Sequence, residues 1–288
     1  MKVAVVGANG QLGQDVARAF GARGHAVTPL THAEIEICDA GHVRSVLQSL
    51  SPDLVINTAA MLQVDLAEDE PGRAFAVNAL GVRNLARQAG QDGFALLEFG
   101  TDYVFDGAKN APYVESDTPH PLGVYAASKL AGEHFVQAYA PKHFIVRVSG
   151  IYGAAPCRGK QGENFVRTML RLAKERGQVR VVEDEILTPT FTADIAARLP
   201  GLVETQAYGL YHLTAGGQCS WHEFTRAIFD LAKTDAELLA TTRADFPTKA
   251  RRPAYSVLEN AAFKKLGLAD LPQWRDGLAR YMREAGLA

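Results

Sequence analysis

Long apolar runs are missing from this chain: no hydrophobic stretch approaches the roughly 20 residues that cross a bilayer, so no membrane span is expected. An excess of positive charge is missing too. Lys and Arg number 30 against 32 Asp and Glu, a formal net charge of −2. That leaves no basic stripe to neutralise phosphates and argues against a nucleic-acid partner. Cysteine is scarce: Cys38, Cys157 and Cys219 lie far apart and are odd in number. Neither a disulfide framework nor a metal cluster follows from them, and reduced thiols in a cytoplasmic protein are the expectation. The opening Met1-Lys-Val-Ala-Val-Val-Gly7 is too short for the apolar stretch of a signal peptide. Repeats and low-complexity tracts are also absent. What the 288 residues do have is apolar material, 47% against 22% charged. That suffices for a sizeable core, in one large α/β unit or two domains.

The apolar material is arranged as alternating strand and helix. Val3 to Val6 is a continuous apolar run of the kind buried on both faces of a sheet. Further strands are expected at Ala26 to Leu30, Leu54 to Asn57, Phe94 to Phe99 and Phe144 to Val148. Helices are expected at Gln11 to Arg23, His42 to Leu50 and Ala74 to Gln91, and around Tyr125. Alternation of this kind implies a parallel sheet with right-handed crossovers. Past Gly150 the pattern loosens into a helix near Asn164 to Arg176, a strand near Val179 to Val182 and further helices.

Tyr125 and Lys129 stand four residues apart in Y-A-A-S-K, just after the breaker Pro119-His-Pro121. On a helix that spacing puts both on one face. The ammonium can then stabilise the phenolate and lower a pKa that is about 10 in a free phenol. Such a tyrosine can serve as a proton donor, and the same lysine can hydrogen-bond a cofactor's ribose. Thr101, in Thr101-Asp-Tyr103, adds a hydroxyl to hold a carbonyl or orient the phenol. An isolated Tyr-x-x-x-Lys is as a rule an ordinary amphipathic helix with a surface lysine. The glycine-rich loop upstream changes that reading.

The loop is Gly7-Ala-Asn-Gly10-Gln-Leu-Gly13, placed between a buried strand and a helix. Its glycines permit the tight turn and let backbone N–H groups and the helix amino terminus approach a pyrophosphate. Gly7, Asn9, Gly10, Gln11 and Leu12 are therefore candidate cofactor-binding residues. The spacing is G-x-x-G-x-x-G, not the commoner G-x-G-x-x-G. The second strand ends Pro29-Leu-Thr-His32, without an acid for an adenosine 2′-hydroxyl or an arginine for a 2′-phosphate. NADH and NADPH both stay open. Asp39 either hydrogen-bonds the adenine or caps a helix.

Longer segments extend the pattern: N-T-A-A at 57–60, V-D-L-A-E at 64–68, E-P-G-R-A-F-A-V-N at 70–78, G-T-D-Y-V-F-D-G at 100–107, Y-A-A-S-K-L-A-G-E at 125–133 and R-V-S-G-I-Y-G at 147–153. With these the chain resembles the extended short-chain dehydrogenase/reductase superfamily, and within it the dTDP-4-dehydrorhamnose reductase branch. The resemblance spans nearly the whole length. The loop and Tyr-x-x-x-Lys belong to the superfamily, whereas V-D-L-A-E and T-D-Y-V-F-D-G are specific to the branch.

The resemblance implies an α/β, Rossmann-like doubly wound parallel sheet with a smaller, partly interleaved C-terminal substrate-binding region. Residues 1–150, with 186–205 returning to them, would bind the dinucleotide, and 151–288 would mainly bind substrate. It implies NAD(P)H-dependent reduction of the C4 keto group of a nucleotide-linked deoxysugar. Tyr125 would protonate the oxygen, Lys129 would tune the phenol and hold the ribose, and Thr101 would position the substrate. Ala59 and Ala60 would pass beneath the cofactor. Val64, Asp102 and Tyr103 would line the sugar site, with a turn role for Asp102 and core packing for Tyr103 as alternatives. Asn164 would touch the diphosphate or cap a helix; Arg252 would contact phosphates or form a surface ion pair. A homodimer occurs in the branch, as does magnesium at a dimer interface, but this sequence offers no support for the metal.

Three substrate-facing departures stand out against the branch. Leu62-Gln63 precedes Val64-Asp65 where Thr or Ser is usual two residues before the valine. Gly150 replaces a frequent aromatic. A D-Q-x-G-x-P-T segment becomes Asp184-Glu-Ile-Leu-Thr-Pro-Thr190. Two other readings stay open: an epimerase or dehydratase of nucleotide sugars on the same scaffold, and a regulatory subunit like the β subunit of methionine adenosyltransferase.

Overall fold

The computed structural model describes residues 1–157 and 162–288. Five parallel strands come from the first half: β1 (Lys2–Val6), β2 (Ala26–Leu30), β3 (Leu54–Asn57), β4 (Ala95–Thr101) and β5 (His143–Val148). A sixth strand, Gly209–His212, pairs in parallel with β5 and completes the order Gly209–His212, β5, β4, β3, β1, β2. The fold is thus Rossmann-like and doubly wound. That strand and the helix before it come from the second half, so the sheet draws on more of that half than residues 186–205.

Period-2 alternation accounts for the two faces. Val3 and Val5 of β1 point into one apolar layer with Val16, Phe20, Ile195 and Leu199. Ala4 and Val6 point into the other with Val43, Leu47, Val55 and Leu85. The first layer is covered by α1 (Gln11–Ala22), the second by α2 (Ala40–Leu50) and, later in the chain, by α5 (Val82–Asp92) and α6 (Val124–Tyr139). Between β3 and α5 lie α3 (Val64–Asp69) and α4 (Pro71–Phe75). The run expected as one helix from Ala74 to Gln91 is instead α4, a π-helical turn at Ala76–Gly81, and α5.

Asn78 shows what that π turn is for. Its side chain is fully buried; Oδ1 accepts from Met61 N–H at 2.8 Å and Nδ2 donates to Met61 O at 3.2 Å and Ser128 Oγ at 3.1 Å. The segment after β3 is thereby tied to α6. Such π turns often sit at functional sites.

The smaller lobe has its own core, built around Val166, Val179, Val181, Phe224, Ile228, Trp274 and Tyr281. In it α7 (Phe165–Arg176) packs on a parallel pair, Gln178–Val182 with Glu237–Thr241. The chain then returns to the sheet through α8 (Thr192–Glu204), which lies against α1. Among the described residues no helix is long and apolar enough to cross a membrane.

Asn78→Ala should leave the Met61 N–H and C=O unpaired in the interior. A loss of about 2–4 kcal/mol in urea unfolding is expected, with the cavity-facing segment at 59–63 the first to gain hydrogen exchange.

Candidate active site

In an open parallel sheet ligands bind beyond the carboxyl ends of the strands, where the strand order reverses. Here β2 lies to one side of β1 and β3 to the other. A cavity of about 560 Å³ opens at that edge, within the usual range for small-molecule sites. Its lining brings together Gly10, Gln11 and Leu12 of the loop, Ala59 and Ala60 after β3, and Thr101, Tyr125 and Lys129. Val64, Asp102, Tyr103, Asn164 and Arg252 line it as well. Of the residues singled out from sequence, Gly7, Asn9 and Asp39 are not in the lining.

The loop fits a dinucleotide. Gly7 has φ +76°, and a Cβ there would lie 2.8 Å from Ala59 N. A Cβ on Gly13 would lie 2.4 Å from Gly7 O, so only glycine lets α1 begin this close to the turn. Gly10, the N-cap of α1, has no side chain to cap the helix. The first-turn amides of Gln11, Leu12 and Gly13 therefore offer donors and a positive helix end to an anion. Asn9 serves the loop through its backbone, its O accepting from Gln14 Nε2 at 3.3 Å. Asp39 takes the second of its two readings. Its Oδ1 accepts from Gly41 and His42 N–H at 2.8 and 3.0 Å, capping α2, and these bonds hold its carboxyl below the usual range.

Tyr125 and Lys129 lie on one face of α6, and the side chain of Lys129 is only 5% exposed. Nζ donates to Glu98 Oε1 at 2.7 Å, and Asn57 Nδ2 donates to Glu98 Oε2 at 2.6 Å. Burial works against the lysine charge, but the carboxylate of Glu98 and the phenol of Tyr125 outweigh it and raise the ammonium pKa. Tyr125 is pulled both ways. Burial raises its phenol, while the Lys129 charge and a hydrogen bond with Thr101 favour the phenolate; the net position is above the ordinary value. The expected lowering by Lys129 is present, and burial exceeds it. Thr101 Oγ1 also accepts from Tyr103 N–H at 3.2 Å, and the Tyr103 ring meets that of Tyr125 edge-on, centroids 6.3 Å apart.

Asp102 is a hub more than a turn residue. Its Oδ2 accepts from Ser149 Oγ at 2.8 Å and Ser256 Oγ at 2.6 Å, and its Oδ1 from Thr101 Oγ1 at 3.2 Å. It joins the ends of β4 and β5 to the C-terminal segment. Burial is the larger influence and pushes its carboxyl up to about 6, against the opposing effect of these three donors.

Asn164 and Arg252 each make the structural bonds that were one of their two expected roles. Asn164 reaches the cavity wall with its polar atoms already engaged: Oδ1 caps α7 at Arg167 N–H, and Nδ2 donates to Gly153 O and Tyr281 OH. The helix-cap role expected of it is thus in place, at the cavity wall. Arg252 forms the ion pair, Nη2 to Asp65 Oδ2 at 2.9 Å, while still lining the cavity. Leu187 explains a departure: a Cβ on Gly150 would lie 2.8 Å from its Cδ1, so the leucine fills the space beside Gly150. Both line the cavity, as do Glu185 and Trp221, which sequence reasoning did not select.

The family described as the RmlD substrate binding domain matches residues 1–286. The chain belongs to that family. A dTDP-4-dehydrorhamnose reductase of Aggregatibacter actinomycetemcomitans is 41% identical over 271 residues, 90% of each protein. The spore coat polysaccharide biosynthesis protein SpsK of Bacillus subtilis is 36% identical over 100% of this chain and 99% of its own length. The crystal structure of a dTDP-4-dehydrorhamnose reductase from Bacillus anthracis, in complex with NADP, superposes with a TM-score of 0.93 at 38% identity, covering 98% of this chain and 99% of that one. Among the described residues of this family member, no group of three or more His, Cys, Asp and Glu is placed to hold a metal ion.

Asp102 gives a stability prediction. Its folded value, about 6 against 3.8 for an unperturbed carboxyl, means its stabilising contribution is complete below pH 4 and is lost as pH rises through 6. Asp102→Asn should remove about 3 kcal/mol of that pH dependence, read as the change in unfolding free energy between pH 4 and 7.5 in each protein.

Proposed function

We propose that this chain is an NAD(P)H-dependent reductase of the C4 keto group of a nucleotide-linked deoxysugar, its substrate dTDP-4-dehydrorhamnose and its product dTDP-rhamnose. The observation that carries the reading is the convergence of Thr101, Tyr125 and Lys129 on the same cavity as the glycine loop. Relatives named for this reaction along nearly their full length support it.

The residues fit a nicotinamide dinucleotide. The amides of Gln11 and Leu12 would hold the pyrophosphate, Ala59 and Ala60 would pass beneath, and Lys129 would reach the ribose. When bound, the reduced nicotinamide supplies the hydride. Tyr125 gives its proton to the carbonyl oxygen as that oxygen gains charge, and Lys129 stabilises the phenolate left behind. Thr101 fixes the phenol. A phenol above its ordinary value keeps its proton through neutral pH, as a donor must. The smaller lobe, with Glu185, Trp221 and Leu187 on its side of the cavity, would receive the sugar nucleotide.

Loss of nicotinamide absorbance with dTDP-4-keto-6-deoxyhexose, one equivalent per sugar reduced, is the expected result. A tightly retained cofactor with no net redox change would instead indicate an epimerase. Tyr125→Phe should lower kcat on the order of 10²- to 10⁴-fold, with the NADPH dissociation constant within a factor of three of wild type.

A further inference from the structure

The carboxylate beneath Lys129 was not among the residues expected to serve the site. Glu98 lies in β4, is 1% exposed, and is directly opposite Asn57 of β3 in the sheet register. Each of its oxygens has one partner: Oε1 takes a hydrogen from Lys129 Nζ at 2.7 Å, Oε2 one from Asn57 Nδ2 at 2.6 Å. A lysine ammonium has three N–H donors. With one directed down to Glu98, the other two are left for the Tyr125 oxygen and for the cavity, which Lys129 lines.

We propose that Glu98 is a positioning residue for the proposed reductase: it anchors the Lys129 ammonium and keeps the Tyr125–Lys129 pair in its doubly protonated, proton-donating state. The argument is one of charge in a low-dielectric interior. Without a counter-charge a buried ammonium sheds its proton or swings toward water. Either event removes the cation that supports a departing phenol proton. The groups around the pair are few. Lys129 and Glu133 come from α6, Glu98 and Thr101 from β4, Asp102 and Tyr103 from the turn after it, and Arg147 from β5. Glu133 is paired with Arg147 at 2.7 Å, and its carboxylate adds a smaller favourable influence on the Lys129 charge than Glu98 does. Asp102 accepts from three hydroxyls and makes no hydrogen bond to Lys129, though its charge, like that of Glu98, raises the Tyr125 phenol. Glu98 is the carboxylate that hydrogen-bonds Lys129.

The coupled pair loses its first proton from the phenol or from the ammonium, and the negative charge of Glu98 opposes both losses. Removing that charge must move the first macroscopic deprotonation to lower pH whichever group releases the proton. Glu98→Gln keeps the shape and an oxygen for Asn57. With saturating NADPH, the alkaline limb of kcat/KM for the keto sugar should move down by about one pH unit or more, the effect of a neighbouring opposite charge. A several-fold rise in the KM for NADPH should accompany it. An alkaline limb that stays where wild type has it, even in a less stable variant, overturns the proposal.

A second measurement needs neither turnover nor a folded variant at Glu98. In wild-type protein labelled with 15N-lysine, the Lys129 Nζ resonance, assigned by its loss in Lys129→Met, should remain that of an ammonium above pH 10.5, where an ordinary lysine is half titrated. Loss of the ammonium below that pH overturns the assignment of Glu98. Absence of turnover on every keto sugar would instead count against the reductase reading alone.

Discussion

A lysine that must stay charged inside a protein imposes conditions on everything it touches. Lys129 and Glu133 are four residues apart on α6, one cationic and one anionic, and both are turned into the sheet. Each meets its opposite: Glu98 on β4 for the lysine, Arg147 on β5 for the glutamate. Sliding or rotating α6 by one position would bring like charges together or leave charges unpaired, which costs several kcal/mol per ion in the interior. The two pairs therefore set the register of the helix on the sheet. Tyr125, one turn before Lys129 on the same face, inherits its position from them. Apolar packing alone would hold the helix in place without specifying its register so sharply.

The edge of the sheet divides the labour along similar lines. On the cofactor side the chain presents bare backbone, because Gly7 and Gly13 leave no room for side chains and Gly10 leaves α1 uncapped. On the substrate side it presents side chains whose polar groups are mostly already committed to one another. Asp102 binds Thr101, Ser149 and Ser256, and Asn164 binds Arg167, Gly153 and Tyr281. A wall built this way is rigid, and its hydrogen bonds need not re-form when a ligand arrives. Groups held rigidly against the substrate are what transition-state positioning asks for. The Gly150–Leu187 contact shows the same economy, one residue giving up its side chain where the other fills the space.

Much of this was legible in the sequence, for physical reasons that differ by element. Strands β1, β3, β4 and β5 could be read because burial on both faces forces largely continuous apolar runs, and the proposed catalytic face because i and i+4 coincide on any helix. The strand Gly209–His212 was not legible as part of the sheet, since its pairing with β5 is across some 60 residues and four residues carry little period. The π turn at Ala76–Gly81 was hidden because six residues inside a longer helical run are too few for its wider spacing to stand out. Asp39 and Asn164 were ambiguous because a side chain suited to cap a helix is equally suited to bind a ligand. Their partners show the caps: local amides for Asp39, and a local amide with the distant Gly153 and Tyr281 for Asn164.

Glu98 is the instructive miss. Ala95-Leu-Leu-Glu-Phe is an apolar strand with one acid in it, and a lone acid in such a run is a signal in its own right, because an unpaired carboxylate there would cost more than the strand's other burial returns. The residue that neutralises it must come from the facing layer, and Lys129 is the buried lysine of the helix that covers β4. Read in that direction, the acid in the strand and the lysine in Tyr-x-x-x-Lys are halves of one inference. Protonation chemistry at Tyr125 then follows from how the sheet accommodates a charge: burial chiefly keeps the proton on the phenol, Asp102 and Glu98 add to that, and Lys129 opposes it. The same phenol acts as acid toward an oxygen becoming an alkoxide and, as phenolate, as base toward an alcohol, so the direction of transfer is set by the reactants and the site lowers the barrier both ways.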